Sequence, residues 1–276
     1  MSRPWGINPR ALGCMQEIDF HRALVRSGGR PPGTIIDAGA HDGRLALDLA
    51  AIPAARMLAF EPLPSAFQRL NAAFVARYGA VPGHVELRAE ALGAVSETMT
   101  LSVPRIRTPD GVEMDAEEWA SLAKDYAADA VADALVLAVR QYPVAVIRLD
   151  DLGLDNQGLG DVVAMKIDVE GFEAELIDGA RETLLASQPV LSVEIEERHR
   201  VGSTRAVPAQ LAALGYAGFW EFHGAWQKME DFNPDTHQRA GTSPADFSVS
   251  DPYVFTFYFV PSARVGELAA LARLAV

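Results

Sequence analysis

The sequence predicts an α/β fold built on a mainly parallel sheet with helices on both faces. Three observations point there. Short apolar runs end in acidic or glycine-bearing turns at 34–37, 57–60, Val162–Ile167 and 190–195. Helix-length segments separate those runs, as the strand–helix–strand unit of a parallel sheet requires. Hydrophobic residues make up 49% and charged residues 22% of the 276, a globular balance that excludes wholesale disorder.

The first 33 residues read as an N-terminal extension mixing Pro, Gly and Arg, with a helix around 15–25 that packs against, or lids, the rest of the chain. Residues 34–276 read as one domain. Thr34-Ile35-Ile36-Asp37 is a short buried strand ending in an acid, followed by the turn Ala38-Gly39-Ala40-His41-Asp42-Gly43. Leu45, Leu47 and Leu49 continue into a helix that stops before Pro53. The second strand ends in Glu61-Pro62. Pro64 opens a helix that Gly79 closes. Val85–Arg88, 99–103 and 144–149 follow as strands, Val162–Ile167 as the central one, then a helix over about 172–186. A strand at 190–195, a helix at 208–214 and an aromatic strand at 253–260 complete the order. That last strand suits a homo-oligomer interface or a central core position equally.

Two segments break the rhythm. Residues 109–142 carry an acidic, Ala-rich stretch that reads as a helical insertion, and residues 225–250 read as a long polar loop. Each is placed either to cover a pocket or to decorate the surface.

Charge and cysteine content narrow the partners. Lys and Arg total 24 against 37 Asp and Glu, a net charge of −13 with no basic run, which argues against nucleic acid. The apolar stretches are too short to span a bilayer, and residues 1–10 lack the apolar core of a signal peptide. A single cysteine, Cys14, excludes an intrachain disulfide and a cysteine-rich zinc site. A cytoplasmic location, away from membranes, is the expectation.

A ligand in an open α/β sheet sits beyond the carboxyl ends of the strands, where strand order reverses. The turn 37–43 is the floor of such a site, and its small residues let a ligand approach the backbone. A dinucleotide fingerprint starting at Gly39 requires glycine at 41 and 44, positions held by His41 and Arg44, so the pyrophosphate-binding version fails. The acids suit a cationic, ribose-bearing ligand instead. Glu61, eighteen residues beyond Gly43, stands where a carboxylate accepts ribose hydroxyls. Asp37 would face an ammonium group, directly or through water. Such a pair repels pyrophosphate and accommodates an aminoacyl sulfonium.

With a second block, these residues resemble the FkbM family of S-adenosylmethionine-dependent methyltransferases. The first block is Ile36-Asp37-Ala38-Gly39-Ala40-His41-Asp42-Gly43, then Phe60-Glu61-Pro62 and Ala91-Leu92-Gly93. The second is Leu149-Asp150-Asp151-Leu152, Lys166-Ile167-Asp168-Val169-Glu170-Gly171-Phe172-Glu173 and Gly179-Ala180. The resemblance spans about 34–197, and the second block is its specific part. It implies a Rossmann-like class I methyltransferase fold with a mainly parallel seven-stranded sheet. It also implies S-adenosyl-L-methionine as cofactor, S-adenosyl-L-homocysteine as product, and O-methylation of a small molecule or sugar. Asp37, Gly39 and Gly43 would then line the methionine side, with His41 within reach of cofactor or acceptor. Glu61 would hold the ribose, Glu90 and Ala91 would lie beside the adenine, and Asp168 would sit beneath the transferred methyl group. The segments 109–142 and 225–250 depart from the family pattern, so the acceptor is not carried over.

A sulfonium is already activated, so the protein's task is alignment, exclusion of water and removal of the acceptor's proton. Asp168, Glu170 and Glu194 are the catalytic candidates. Alternation along an extended chain puts Lys166, Asp168 and Glu170 toward one side, and Glu194 ends the next strand above the same cleft. The competing reading for Glu170 and Glu173 is an ion-pair network around Lys166 with a helix cap. Asp168 and Glu194 suit either a divalent cation or the positioning of acceptor hydroxyls, and no residue is assigned to a metal. His199 is either a general base or a surface histidine. The expected partner is a small hydroxylated acceptor. N-methylation of a sugar amine or peptide group and a catalytically silent nucleotide-binding scaffold are the alternatives.

Overall fold

The computed structural model describes residues 17–25, 31–53, 56–107, 112–124, 126, 136–153, 159–239, 248 and 250–272. Helix α1 (Glu17–Val25) is followed by strand β1 (Thr34–Ala38), α2 (Arg44–Leu49), β2 (Arg56–Phe60), α3 (Pro64–Tyr78) and β3 (Val85–Arg88). β1 is buried along its whole length, as an apolar run flanked by strands on both sides must be. Pro64 sits in the first turn of α3, where its missing N–H costs nothing. Gly79 ends that helix in the left-handed conformation, its N–H bonded to the Val75 carbonyl.

The next strands form a separate four-stranded sheet. β4 (Ala91–Leu92), β5 (Glu97–Arg107), β6 (Glu113–Asp115) and β7 (Val136–Ile147) lie in the order β4-β7-β5-β6. This corrects the helical insertion expected over 109–142. β5 and β7 pair antiparallel from Glu97↔Val146 to Ile106↔Val136, and Glu117–Trp119 is a single 3-10 turn. The helical reading rested on alanine content. The valines, Tyr142 and Ile147 of β7 favour a pleated, half-buried surface, and cross-strand pairing with β5 overrides helix propensity. Residues 127–135, the Ala-rich centre of that stretch, lie outside the described residues.

The chain then returns to the main sheet through β8 (Val162–Ile167), α4 (Glu173–Gly179), α5 (Arg181–Ser187), β9 (Val190–Glu194) and α6 (Ser203–Ala213). β10 (Tyr216–Phe222), β11 (Ala225–Lys228), α7 (Pro234–His237), β12 (Thr256–Pro261) and α8 (Val265–Ala272) follow. The sheet has eight strands, not seven, in the order β11-β10-β12-β9-β8-β1-β2-β3. β3, β2, β1, β8 and β9 run parallel, whereas β12 is antiparallel to both its neighbours and β11 to β10. The added strand comes from the segment expected to be a long loop. His223 and Gly224, at φ 52° and 80°, form a two-residue hairpin turn that pairs Phe222 with Ala225. Helix α7 lies in the same segment, while 240–247 fall outside the described residues. β12 is a core strand, with Phe257, Tyr258 and Phe259 buried between β9 and β10.

The helix expected over 172–186 is two helices. A Cβ on Gly179 would come within 1.8 Å of the Gly93 carbonyl oxygen, and the chain turns there. On one face of the sheet Leu58, Met165, Leu176, Leu184 and Leu211 form a continuous core. On the other, Ile35, Met57, Leu49, Phe74 and Leu268 pack with Ile18, Phe20 and Leu24 of α1. The helical part of the N-terminal extension therefore belongs to the second layer. Among the described residues no helix is long and apolar enough to cross a membrane. From β1 the sheet continues through β2 on one side and β8 on the other, so the strand order reverses at their carboxyl ends, the place where open α/β sheets bind ligands.

Candidate active site

The turn after β1 is built on left-handed backbone, with Gly39 at φ 80°, His41 at 47° and Gly43 at 88°. Glycine at 39 is required twice over, because a Cβ there would also lie 1.8 Å from the Asp168 carbonyl oxygen. The turns after β1 and β8 thus touch through main chain.

Glu61, just past β2, holds this turn from below. One carboxylate oxygen accepts the His41 N–H and the other the Leu63 N–H, each at 2.8 Å. The side chain is buried, and burial pushes its pKa up to about 7 against the pull of the two amides. The His41 ring lies at the rim, Nδ1 3.8 Å from Asp42.

Asp37 is fully buried, and in the β1–β8 ladder its register partner is Lys166. The Lys166 ammonium lies 3.5 Å from Asp37 Oδ1 and 3.2 Å from Asp168 Oδ2, and it donates to the Gly39 carbonyl. Burial opposes the lysine's charge, but Asp168, Asp37, Glu17 and Glu194 outweigh it and hold the pKa above its ordinary value. The Asp37 carboxylate faces Lys166 rather than an open crevice, so its influence on a ligand passes through that lysine.

Sequence reasoning missed the layer above this pair. Glu17 and His21, one turn apart on α1, both reach Ser192 of β9: the Ser192 hydroxyl donates to the Glu17 carboxylate, and His21 Nε2 lies 2.8 Å from Ser192 Oγ. Burial lowers the His21 pKa to about 3, which keeps the imidazole neutral. The available signal was an acid and a histidine at i and i+4 on the buried side of a short amphipathic helix.

At the carboxyl ends of β8 and β9, Asp168, Glu170 and Glu194 converge. One oxygen from each lies within 4.8 Å of the others, and all three side chains are half-buried. Lys166 neutralises Asp168. His199 Nδ1 lies 2.8 Å from Glu170 Oε2, so His199 is a buried partner and not a surface histidine. Among the described residues Glu194 has no ion pair. Burial, then Asp168, Glu170 and Glu196, raise its pKa well above the usual carboxylate range. The oxygen spacing is within the reach of a divalent cation, but Lys166 and His199 already supply positive charge to two of the three acids.

The turn after β8 also runs left-handed, at Glu170 (φ 53°) and Gly171 (φ 97°). Buried Glu173 accepts the Gly171 N–H at 2.8 Å, and burial pushes its pKa up to about 7. Ser121, from the segment between β6 and β7, donates its hydroxyl to the Glu170 carbonyl at 2.6 Å, which ties the second sheet to the site.

Among the described residues Glu90 and Ala91 make no hydrogen bond or ion pair with the carboxylates of this cluster. Glu90 pairs with Arg88 at 2.8 Å, and that guanidinium sits over the Phe60 ring. Ala91 begins β4 and packs against Val146 and Phe172. Asp150, in the second sequence block, is structural, since its carboxylate accepts the Glu182 and Thr183 N–H groups that open α5. Among the described residues Lys166 meets Asp37 and Asp168 and His199 meets Glu170, while Glu17 and Glu194 have no ion pair, so acids outnumber cations in this cluster.

The methyltransferase FkbM domain model matches residues 37–232. No functionally curated protein shows significant sequence similarity to the chain. Among solved structures, the chain is similar to a methyltransferase FkbM from Methylobacillus flagellatus KT, with 15% identity over 87% of this chain and 47% of that one and a TM-score of 0.49. The chain thus spans about half the length of that protein. It is also similar to the O-methyltransferase TomG from Streptomyces achromogenes, solved in complex with SAM (12% identity, 93% and 82% covered, TM-score 0.46). An O-methyltransferase from Bacillus cereus solved with SAH gives 13% identity, 94% and 84% covered, and a TM-score of 0.47. The domain match takes in more than half the chain, from the turn after β1 to beyond the β9 carboxylates, and on that ground the protein belongs to the FkbM family of S-adenosylmethionine-dependent methyltransferases.

Proposed function

We propose that this chain transfers the methyl group of S-adenosylmethionine to a hydroxyl oxygen of a small molecule or sugar. The observation that carries this reading is the convergence of Asp168, Glu170 and Glu194, with oxygens within 4.8 Å, beside the main-chain contact of Gly39 with Asp168. A donor-binding turn and a set of proton acceptors then share one edge of the sheet. When bound, S-adenosylmethionine supplies an already activated methyl group.

The chain's own residues do the rest. Gly39 and Gly43 give the turn its left-handed backbone and let it pack against the β8 turn and α3, which sets the main chain beside the donor, with His41 at its rim. Glu61, oriented by two amides, takes the ribose hydroxyls, and Glu90 and Ala91 border the adenine. Lys166, anchored by Asp37, holds Asp168 in place to orient the acceptor hydroxyl. As the acceptor oxygen gains its methyl group its proton passes to a carboxylate, and Glu170, paired with His199, is the one placed to take it. Glu194, whose pKa burial and the neighbouring acids raise well above the usual carboxylate range, serves as a hydrogen-bond donor to the acceptor. In this reading no resident metal is needed, because Lys166 and His199 provide the countercharge. The protein acts in the cytoplasm on a free small molecule.

The test has two parts. Calorimetric titration with S-adenosylhomocysteine, with NAD as control, is expected to show saturable binding of the first and none of the second. Labelled donor is then offered with hydroxyl and amine acceptors. Label appearing on oxygen supports the reading. Label on nitrogen alone replaces it with N-methylation, and binding without transfer to any acceptor favours a silent scaffold.

A further inference from the structure

We propose that His199 is a positioning residue for methyl transfer, an imidazolium set between Glu170 and Glu196 that favours the charged form of Glu170 and aims it into the carboxylate cluster. This rests on the reading of that cluster as the acceptor side of the site.

The geometry is specific. His199 follows β9 and is buried, with Nδ1 2.8 Å from Glu170 Oε2 and Nε2 3.6 Å from Glu196 Oε1. A neutral imidazole carries no charge toward either acid, whereas the charged form faces both carboxylates at ion-pair distance. Glu196 is itself buried and fixed, since Arg198 grips its carboxylate through Nε at 2.6 Å and Nη2 at 2.7 Å. Tyr253, ahead of β12, adds a hydrogen bond to the same carboxylate. The imidazole therefore has a rigid acid on one side and, on the other, an acid that belongs to the site.

The backbone is shaped around this contact. Glu170 adopts φ 53°, a conformation that L residues other than Asn and Asp seldom take, and Gly171 follows at φ 97°. A Cβ on Gly171 would lie 3.3 Å from His199 Cβ and 3.4 Å from its carbonyl oxygen, so glycine is what lets the two turns pack. Ser121 on the Glu170 carbonyl and Glu173 on the Gly171 N–H hold the strained pair from two other elements.

The charged surroundings are consistent. Glu170 meets His199 from the β9 loop and feels Asp168 on its own turn and Glu196 across it. Glu173 and Glu194 complete the ring of acids. His199 meets Glu170, Glu196 and the opposing cation Arg198. Burial works against its charge, the two glutamates outweigh burial and Arg198, and the pKa is raised. For Glu170 burial, with Asp168 and Glu196, outweighs the pull of His199 and the pKa is raised, so His199 is what limits that rise.

The full-length chain with 13C-labelled histidine is titrated from pH 5 to 9 by NMR, with the His199 signal identified by its loss in His199→Gln. His199 is expected to titrate above the ordinary imidazole range, and by about one unit lower in Glu170→Gln. An ordinary His199 titration in the wild type, or one that Glu170→Gln leaves unmoved, overturns the proposal without any acceptor being known. With an acceptor, His199→Gln is expected to move the acidic limb of kcat upward in pH while S-adenosylhomocysteine affinity stays within about twofold. An unmoved limb overturns the proposal, whereas a purely structural loss would lower kcat without shifting it. Failure of the wild type to bind S-adenosylhomocysteine counts against the proposed function alone, and the NMR titration still decides the role of His199.

Discussion

The main chains of Gly39 and Asp168 are in contact: a Cβ at 39 would fall 1.8 Å from the Asp168 carbonyl oxygen, and Asp168 N–H bonds the Ala38 carbonyl at 3.0 Å. Residues of the first and second sequence blocks more than a hundred positions apart meet there as one surface. Gly39→Ala must therefore separate the two turns and also adopt φ 80°. The expected cost is about 3 kcal/mol or more in chemical denaturation. S-adenosylhomocysteine affinity is expected to fall by at least about tenfold, measured by calorimetry.

Among the described residues Lys166 is the one cation between Asp37 and Asp168. Lys166→Met leaves Asp37 buried without its counter-ion, and a loss of about 3–5 kcal/mol is expected at pH 7–8. Below the ordinary carboxylate range Asp37 is neutral in both states, so most of the loss should disappear. A Lys166→Met/Asp37→Asn double variant is expected to recover part of it, and an additive double variant would show that the pair is not coupled.

Glu173 has a folded pKa of about 7 against an unfolded value near 4.5. The native state binds the extra proton between these values, so stability falls as pH rises through this window, by roughly 3 kcal/mol in full. Glu173→Gln keeps an oxygen for the Gly171 N–H and removes the charge. Its Tm is expected above that of the wild type at pH 8, with little difference at pH 5. An equal gain at both pH values would contradict the assignment.

Glu61→Ala removes the carboxylate that both orders the 39–43 turn and is assigned to the ribose. Loss of two charge-assisted hydrogen bonds is expected to weaken S-adenosylhomocysteine binding by roughly 10- to 100-fold. Unchanged affinity in calorimetry would remove Glu61 from the donor site.

Chelation tests the countercharge argument. With Lys166 and His199 already against Asp168 and Glu170, dialysis against a chelator is expected to leave labelled methyl transfer within about twofold. A collapse restored by magnesium would instead put a cation among the three acids.

Local chemistry was enough to read β1, α3 and β8 almost to the residue. An apolar run between charged ends, or a helix bracketed by Pro64 and Gly79, carries its signal in adjacent residues. That acids stand at the ends of β2, β8 and β9 was legible for the same reason, and the structure brings those of 168, 170 and 194 together. The second sheet was not legible. β5 and β7 draw their stability from each other across some forty residues of chain, and alanine content points the other way.

Partnership between charges was decided by the tertiary structure alone. Nothing near Asp37 in sequence indicates that Lys166 lies against it, nothing near Glu170 indicates His199, and nothing in α1 indicates that Glu17 and His21 close on Ser192. Ion pairs and buried hydrogen bonds act over a few ångströms of space. Which acid is neutralised, which stays bare and which holds its proton therefore depends on strand order and turn geometry, while the residues available for those roles were already written in the chain.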